Sequence, residues 1–320
     1  MRYLLLFIFS TILINVVNSQ SLTLEVDGLF QKREYDTAAK ILNEYLKTRP
    51  EDKEAYELLG DAYGYQRAWD AAIEIYSSLV SQYPEDADLY YKLGGSLGLK
   101  AQSVNKLKAI TYVGDIKEAL KEAIRIDPNH IEAHWALIEL YIALPGILGG
   151  SNKKALDYAT KLMDVSAVDC YLAKGYIYEY DDEPELAEFN YLRAVEVGGS
   201  VVCYRELSEF YQEENQPDKA IKTLEEAQEL HHRNALHYQI GKVSADYKVD
   251  LDKGLICLNT YIKNYTSKDG VPIEWAYYRC AQIYRHQNNK EEALQHIDRA
   301  LSLRADFPQA LQERKRIQNL

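Results

Sequence analysis

A spacing of 34 residues runs through this 320-residue chain: Pro50 to Pro84 is one such step, and Gly60 to Gly94 is another. A shorter ruler lies inside it. One small residue follows another after 12 positions in Gly60–Ala72, Gly175–Ala187, Ser208–Ala220 and Ala281–Ala293, and after 13 in Gly241–Gly254. Self-similarity at such a period means that one supersecondary unit is stacked many times. A single unit of this size does not bury its own apolar face, so stability comes from its neighbours.

The clearest unit is "AYELLGDAYGYQRAWDAAIEIYSSLVSQYP", with Tyr56, Leu59, Gly60, Tyr63, Ala72, Tyr76 and Pro84. In order and spacing these match the aromatic, leucine, glycine, alanine and proline places of the tetratricopeptide repeat, and the chain resembles that family. The resemblance implies an all-α, right-handed superhelix (an α-solenoid) of about eight helix-turn-helix repeats. Their approximate bounds are 22–52, 53–86, 87–130, 131–167, 168–200, 201–233, 234–273 and 274–307, with a capping helix over 308–320. In each unit the small residues let paired helices approach, aromatics fill the wedge to the next pair, and proline ends the second helix.

Two consecutive units break the ruler. Pro84 to Pro128 is 44 residues, ten too many, with the excess near 101–114. Ile138 and Ala155, in the next unit's small-residue places, are 17 apart, five too many, and "LPGILGGSNKKA" lies between them. Both insertions fall between paired helices, and equivalent loops of a solenoid emerge on one edge. They are therefore expected to meet in one enlarged lobe, with Pro145, Gly146, Gly149, Gly150, Ser151 and Lys153 as its candidate binding residues. Ser151 reads as the N-cap of the following helix. The amides after Gly149 and Gly150, beside Lys153 and Lys154, either hold an anion or merely complete a turn.

The chain opens with Met1-Arg2, an apolar run from Tyr3 to Val17, and Val17-Asn18-Ser19. That layout predicts a signal peptide over 1–19 and an exported mature chain, periplasmic or secreted. The run is shorter than the ~20 residues that span a bilayer, so no stable span is expected after its removal. The net charge of −12 argues against nucleic acid and anionic membrane surfaces as main partners. Of four cysteines, Cys170 and Cys203 read as buried thiols, and Cys257–Cys280 as a possible disulfide.

Catalytic signatures are scarce. His130 and His134 stand four apart, but Glu132 falls on the other side of a helix, so the HExxH arrangement is absent. No nucleophile elbow, Walker loop, dinucleotide fingerprint or zinc pattern occurs, and no enzyme, cofactor or metal is expected.

In the tetratricopeptide repeat family extended peptides often lie against the first helix of each unit. Along the ruler that face selects Glu54, Glu57, Asp61, Tyr91, Trp135, Glu139, Tyr176, Glu179, Tyr180, Arg205 and Tyr238, with Lys242, Trp275, Tyr278 and Arg285 beyond. The resemblance thus implies a protein or peptide partner held in a concave groove. The family's clamp for a C-terminal carboxylate is not carried over, because Glu54, Glu57 and Asp61 occupy its places. The other reading is an accessory or ligand-binding component of an envelope transport system.

Overall fold

The computed structural model describes residues 22–320. The expected signal peptide, 1–19, lies outside the described residues. These form seventeen α-helices and three short 3-10 turns, without a strand among them, and divide into two compact units that meet in sequence at Val165–Ser166.

The first unit holds four helix pairs: α1 (22–31) with α2 (Tyr35–Thr48), α3 (Lys53–Tyr65) with α4 (Trp69–Gln82), α5 (Ala87–Ser103) with α6 (Lys106–Ile126), and α7 (Ile131–Ala143) with α8 (Asn152–Lys161). The second holds α9 (Ala167–Tyr180) with α10 (Pro184–Gly198), α11 (Val201–Glu213) with α12 (Pro217–His231), α13 (Asn234–Tyr247) with α14 (Leu251–Lys263), and α15 (Ile273–His286) with α16 (Lys290–Leu303). The last helix, α17 (Pro308–Gln318), closes this unit against α16.

Local chemistry sets the boundaries. Side chains of Asp52, Asp86, Asn105, Ser151, Ser166 and Ser200 accept an otherwise unpaired amide in the first turn of the helix that follows. Each such cap is worth about 1 kcal/mol. Pro184, Pro217 and Pro308 stand in first turns, where a missing N–H costs nothing. Between the helices of regular pairs one residue turns left-handed: Arg33, Arg67, Asp182, Asn215 or Asn288.

The ruler has a packing basis. A Cβ added to Gly60 would sit 2.6 Å from Cζ of Tyr76, and one on Gly175 would sit 2.7 Å from Cε1 of Tyr191. Both rings come sixteen residues later, on the second helix of the pair. Gly241 meets Leu258 at seventeen and Gly94 meets Leu120 at twenty-six. The offset therefore grows by the same one and ten residues that the longer units contain. The close contact is glycine against a large side chain, rather than glycine against alanine.

Two expectations need correction. The ten extra residues of the third unit do not loop out. Helix α5 starts 34 residues after α3, and α6 ends 44 after α4, so the excess lies at their shared tip, 100–112. There it lengthens both helices, to 17 and 21 residues, around a turn of Val104 and Asn105. Cys257 and Cys280 are free, buried thiols, as are Cys170 and Cys203. Burial pushes the Cys257 thiol up to about 11 and that of Cys280 up to about 12. His130 and His134 support the chain locally: His130 Nδ1 accepts the Ala133 amide at 3.3 Å, and His134 Nε2 lies 3.1 Å from the Pro128 carbonyl.

Candidate functional site

In the first unit the faces of α3 and α5, with two side chains of α4, enclose an open cleft of about 420 Å³. Tyr65, Trp69, Tyr76 and Tyr91 supply its aromatic walls, and Leu99 its far rim. Tyr65 is 58% exposed and Leu99 45%, so apolar surface here faces water. Asp61 and Lys92 meet on its floor at 2.8 Å, and the Tyr76 hydroxyl donates to the second Asp61 oxygen at 2.5 Å. Burial, reinforced by the Asp61 charge, raises the Tyr76 phenol far above its usual range. Tyr76 thus stays neutral and fixes the carboxylate.

Glycine gives the cleft its depth. Gly64 and Gly95 line it, and a Cβ added to either meets nothing within 4 Å. Mid-helix glycine costs about 1 kcal/mol against alanine, and at Gly95 no neighbour requires it. Its effect is to leave helix backbone open to whatever enters. These are parts the groove expectation missed, along with Tyr65, Trp69 and Leu99. One signal was available: Gly95 stands 34 residues after Asp61, a glycine where the preceding unit has a side chain.

Of the groove residues expected in this unit, Asp61 and Tyr91 share the cleft. Glu57 lies beside them, 3.2 Å from Lys53 and 3.7 Å from Lys92, so the acidic face is partly neutralised. Glu54 is at the surface, where Thr23 donates to it at 3.3 Å. Burial raises the Tyr91 phenol, aided by the charges of Glu132 and Glu139. Glu139 is exposed, and desolvation of its partly covered carboxyl raises it above the usual range. Trp135 is half-buried one turn earlier on α7.

The stretch 144–151 is a closed turn. A 3-10 segment, Gly146–Leu148, leads to Gly149 at φ +84°. A Cβ on Gly150 would fall 1.7 Å from the Leu144 carbonyl oxygen, so only glycine fits there. The amides of Leu148, Gly149, Gly150 and Ser151 all donate within the turn or to Tyr141. Those four amides are therefore not open to an anion. Lys117 of α6 donates to the carbonyls of Leu148 (3.0 Å) and Gly149 (3.2 Å), which ties the turn to the lengthened helix. The two departures from the ruler are therefore joined, though at Lys117 rather than within 101–114. Ser151 caps α8 as expected, through the Lys154 amide at 3.3 Å; Lys153 points to Asp157 at 3.4 Å, and Pro145 and Gly146 are exposed.

In the second unit Glu179 accepts the Tyr191 hydroxyl at 2.5 Å. Burial, with the nearby charges of Glu213 and Glu206, raises its carboxyl despite that bond. Arg205 pairs with Glu206 at 2.6 Å and reaches Glu209 at 4.0 Å. Tyr176 is half-buried, and Tyr180 is 59% exposed. Glu209 and Lys242 share a polar cleft with Asp246 and Tyr247. Tyr238 does not belong to the surface: it is 5% exposed, packed with Tyr261 of α14 and Ala276 and Cys280 of α15. Tyr278 is likewise buried, against Phe307, and half-buried Trp275 packs on the same ring. Arg285 is drawn to buried Glu313 of α17.

Two parts of the sequence match the tetratricopeptide repeat, residues 23–87 overlapping with 59–97, and residues 276–307. No curated protein matches the chain in sequence. Among solved structures, yeast Tom70 is similar at a TM-score of 0.60 and 15% identity, over 90% of this chain and 58% of that one. A tetratricopeptide repeat protein from Parabacteroides merdae ATCC 43184 is similar at a TM-score of 0.50 and 13% identity, over 93% and 98% of the two chains. The Cut9–Hcn1 structure of the APC/C gives a TM-score of 0.46 at 16% identity, over 92% of this chain and 55% of that one. The chain thus spans little more than half the length of the Tom70 and Cut9–Hcn1 chains. Repeat matches in both units, with paired helices throughout each, show an all-α protein that contains tetratricopeptide repeats.

Proposed function

We propose that this protein is an exported, non-enzymatic scaffold that holds a peptide segment of a protein partner, with one of the segment's apolar side chains in the cleft of the first unit. The observation that carries this reading is Gly95, a mid-helix glycine that no packing neighbour requires, in a cleft walled by exposed Tyr65 and half-buried Trp69 and Tyr91. An extended segment lying over Gly95 and Gly64 gains contact with helix backbone, and Tyr65, Trp69 and Tyr91 offer rigid surface of the kind that dominates interfaces. Because Lys53 and Lys92 offset Glu57 and Asp61, selectivity rests on the rings more than on charge. The perturbed acids and phenols support binding over catalysis. Tyr76, Tyr191 and Tyr211 bond to Asp61, Glu179 and Glu188 within or between neighbouring pairs, where they hold helices together.

A peptide array carrying aromatic, aliphatic, basic and acidic segments tests the reading. Aromatic or aliphatic segments are expected to bind, and Gly95→Leu to abolish capture while the circular dichroism melt stays intact. Equal capture by the variant would overturn it. Export rests on the apolar run and the small residues before Gln20. N-terminal sequencing from the native host is expected to start at Gln20, and retention of residues 1–19 would refute it.

A further inference from the structure

The lengthened tip and the closed turn share a charge that sets them apart from the rest of the chain. Residues 100–112 contain Lys100, Lys106 and Lys108 and no acid; residues 144–156 contain Lys153 and Lys154 and no acid, in a protein of net charge −12. Lys100 is paired with Asp70 and Lys153 with Asp157. Among the described residues, Lys106, Lys108, Lys117, Lys121 and Lys154 make no ion pair with a carboxylate. Lys117 and Lys154 both stand by the Tyr141 ring, at 5.3 and 5.5 Å from its centroid, and burial, with the charges of Lys154 and Lys121, lowers the Lys117 ammonium.

Apolar side chains stand among these lysines. Leu107 is 82% exposed, Ile147 is 94% and Ile110 is 42%. At about 100° per residue, Lys106, Ile110, Lys117 and Lys121 fall within roughly 60° of arc on α6. Asp115, Glu118 and Glu122 lie on another flank, where they line a separate cleft with Tyr90. The Lys117 bonds hold the turn bearing Ile147 against this stripe, two helical turns from Ile110.

From this arrangement we infer that the α5–α6 tip, together with Ile147, docks on the surface of an anionic lipid bilayer. Leu107, Ile110 and Ile147 enter the headgroup region, and Lys106, Lys121 and Lys154 meet lipid phosphates. Apolar insertion joined to basic attraction is the balance that holds interfacial segments. Exposure favours lipid over a peptide: Leu107 and Ile147 stand almost wholly clear of their neighbours, whereas gripping a segment needs a groove. The chain's overall negative charge does not forbid the contact. Screening limits its reach to about 8 Å at physiological salt, and the acids of α6 nearest the stripe, Asp115, Glu118 and Glu122, lie on its other flank.

Vesicle co-sedimentation tests this with the whole chain against phosphatidylcholine alone and against phosphatidylcholine with about one third phosphatidylglycerol, an anionic content that makes the surface potential strongly negative. The apolar run at 3–17 is common to parent and variants, so its contribution cancels. Binding is expected to favour the anionic vesicles and to fall with salt. Each lysine removed by Lys106→Ala or Lys121→Ala is expected to weaken it about fivefold, and Leu107→Asp with Ile147→Asp to remove the anionic preference. A circular dichroism melt checks the fold; should the aspartate variant unfold, the lysine variants decide. No preference for anionic vesicles, variants that bind like the parent, or capture of acidic peptides in place of vesicles would each overturn the inference.

Discussion

Gly94 and Gly95 are adjacent on α5, yet replacing each by alanine should move stability in opposite directions. At Gly95 the new methyl meets nothing within 4 Å. The variant gains helix propensity, about 1 kcal/mol. At Gly94 the new Cβ sits 2.9 Å from both Cγ and Cδ2 of Leu120, which is fully buried. The clash involves the branch point of a side chain in the core, so the helix or Leu120 has to shift. Overpacking of this kind costs about 1–3 kcal/mol, which offsets the same propensity gain and leaves a net loss of up to about 2 kcal/mol. The unfolded chain loses similar freedom in both variants, so the difference of about 1–3 kcal/mol between them isolates packing. Urea denaturation followed by far-ultraviolet circular dichroism reads it as a change of midpoint at constant slope. Equal midpoints, or a more stable Gly94→Ala, would show that the pairing of α5 with α6 is wrong. If Gly95→Ala stabilises the fold and weakens peptide capture, the glycine is there for the cleft, a trade of stability for function.

Gly60→Leu should destabilise by about 1–3 kcal/mol or more in the same urea assay, because Tyr76 fills the space and is held by Asp61; an unchanged midpoint counts against that packing. Gly150→Ala should disrupt the 144–151 turn, since its methyl falls on the Leu144 carbonyl; faster amide exchange at Ser151 is the readout, and unaltered exchange refutes the geometry. The four thiols should resist a disulfide exchange reagent in the native protein and all react in guanidinium; fewer than four after unfolding without reductant would reveal a disulfide. The Glu179 carboxyl is raised above its ordinary value of 4.5, so its contribution to stability is full below that pH and is lost as pH rises through the folded value. Glu179→Gln should therefore gain on the parent in denaturation midpoint between pH 5 and pH 8; a variant that loses ground over that range refutes the assignment.

The register of the helix pairs was legible because one packing contact repeats. A glycine at the crossing point needs a large partner sixteen residues on, and sequence spacing transmits that directly. The fate of an insertion is harder to read. Ten extra residues near 101–114 contain Lys, Leu and Ala with one glycine, and a helix absorbs a single glycine for about 1 kcal/mol, so the pair simply grew. Five extra residues at 144–151 carry a proline and three glycines, which end a helix wherever they fall. The number of extra residues was visible in both cases, but composition decided between longer helices and a turn.

The groove shows a different limit. Glu57, Tyr91, Trp135, Arg205, Tyr238 and Tyr278 each precede the small residue of their unit by three, so the pattern treats them as equals. The fold does not. Tyr238 is covered by Ala276 and Cys280 of α15, and Tyr278 by Phe307 at the entrance to α17. A neighbouring helix makes the difference, and the ruler contains no information about how closely the next pair leans in. The cleft inverts this case. The position just after the small residue is Asp61, Glu139, Tyr176, Glu209, Lys242 or Gln282 in the other units of the ruler, and only in the α5 unit is it glycine. An added side chain there has room, so packing does not select the glycine. A site on a repeat scaffold is therefore better sought where one unit departs from its own pattern without a structural cause than where all units agree.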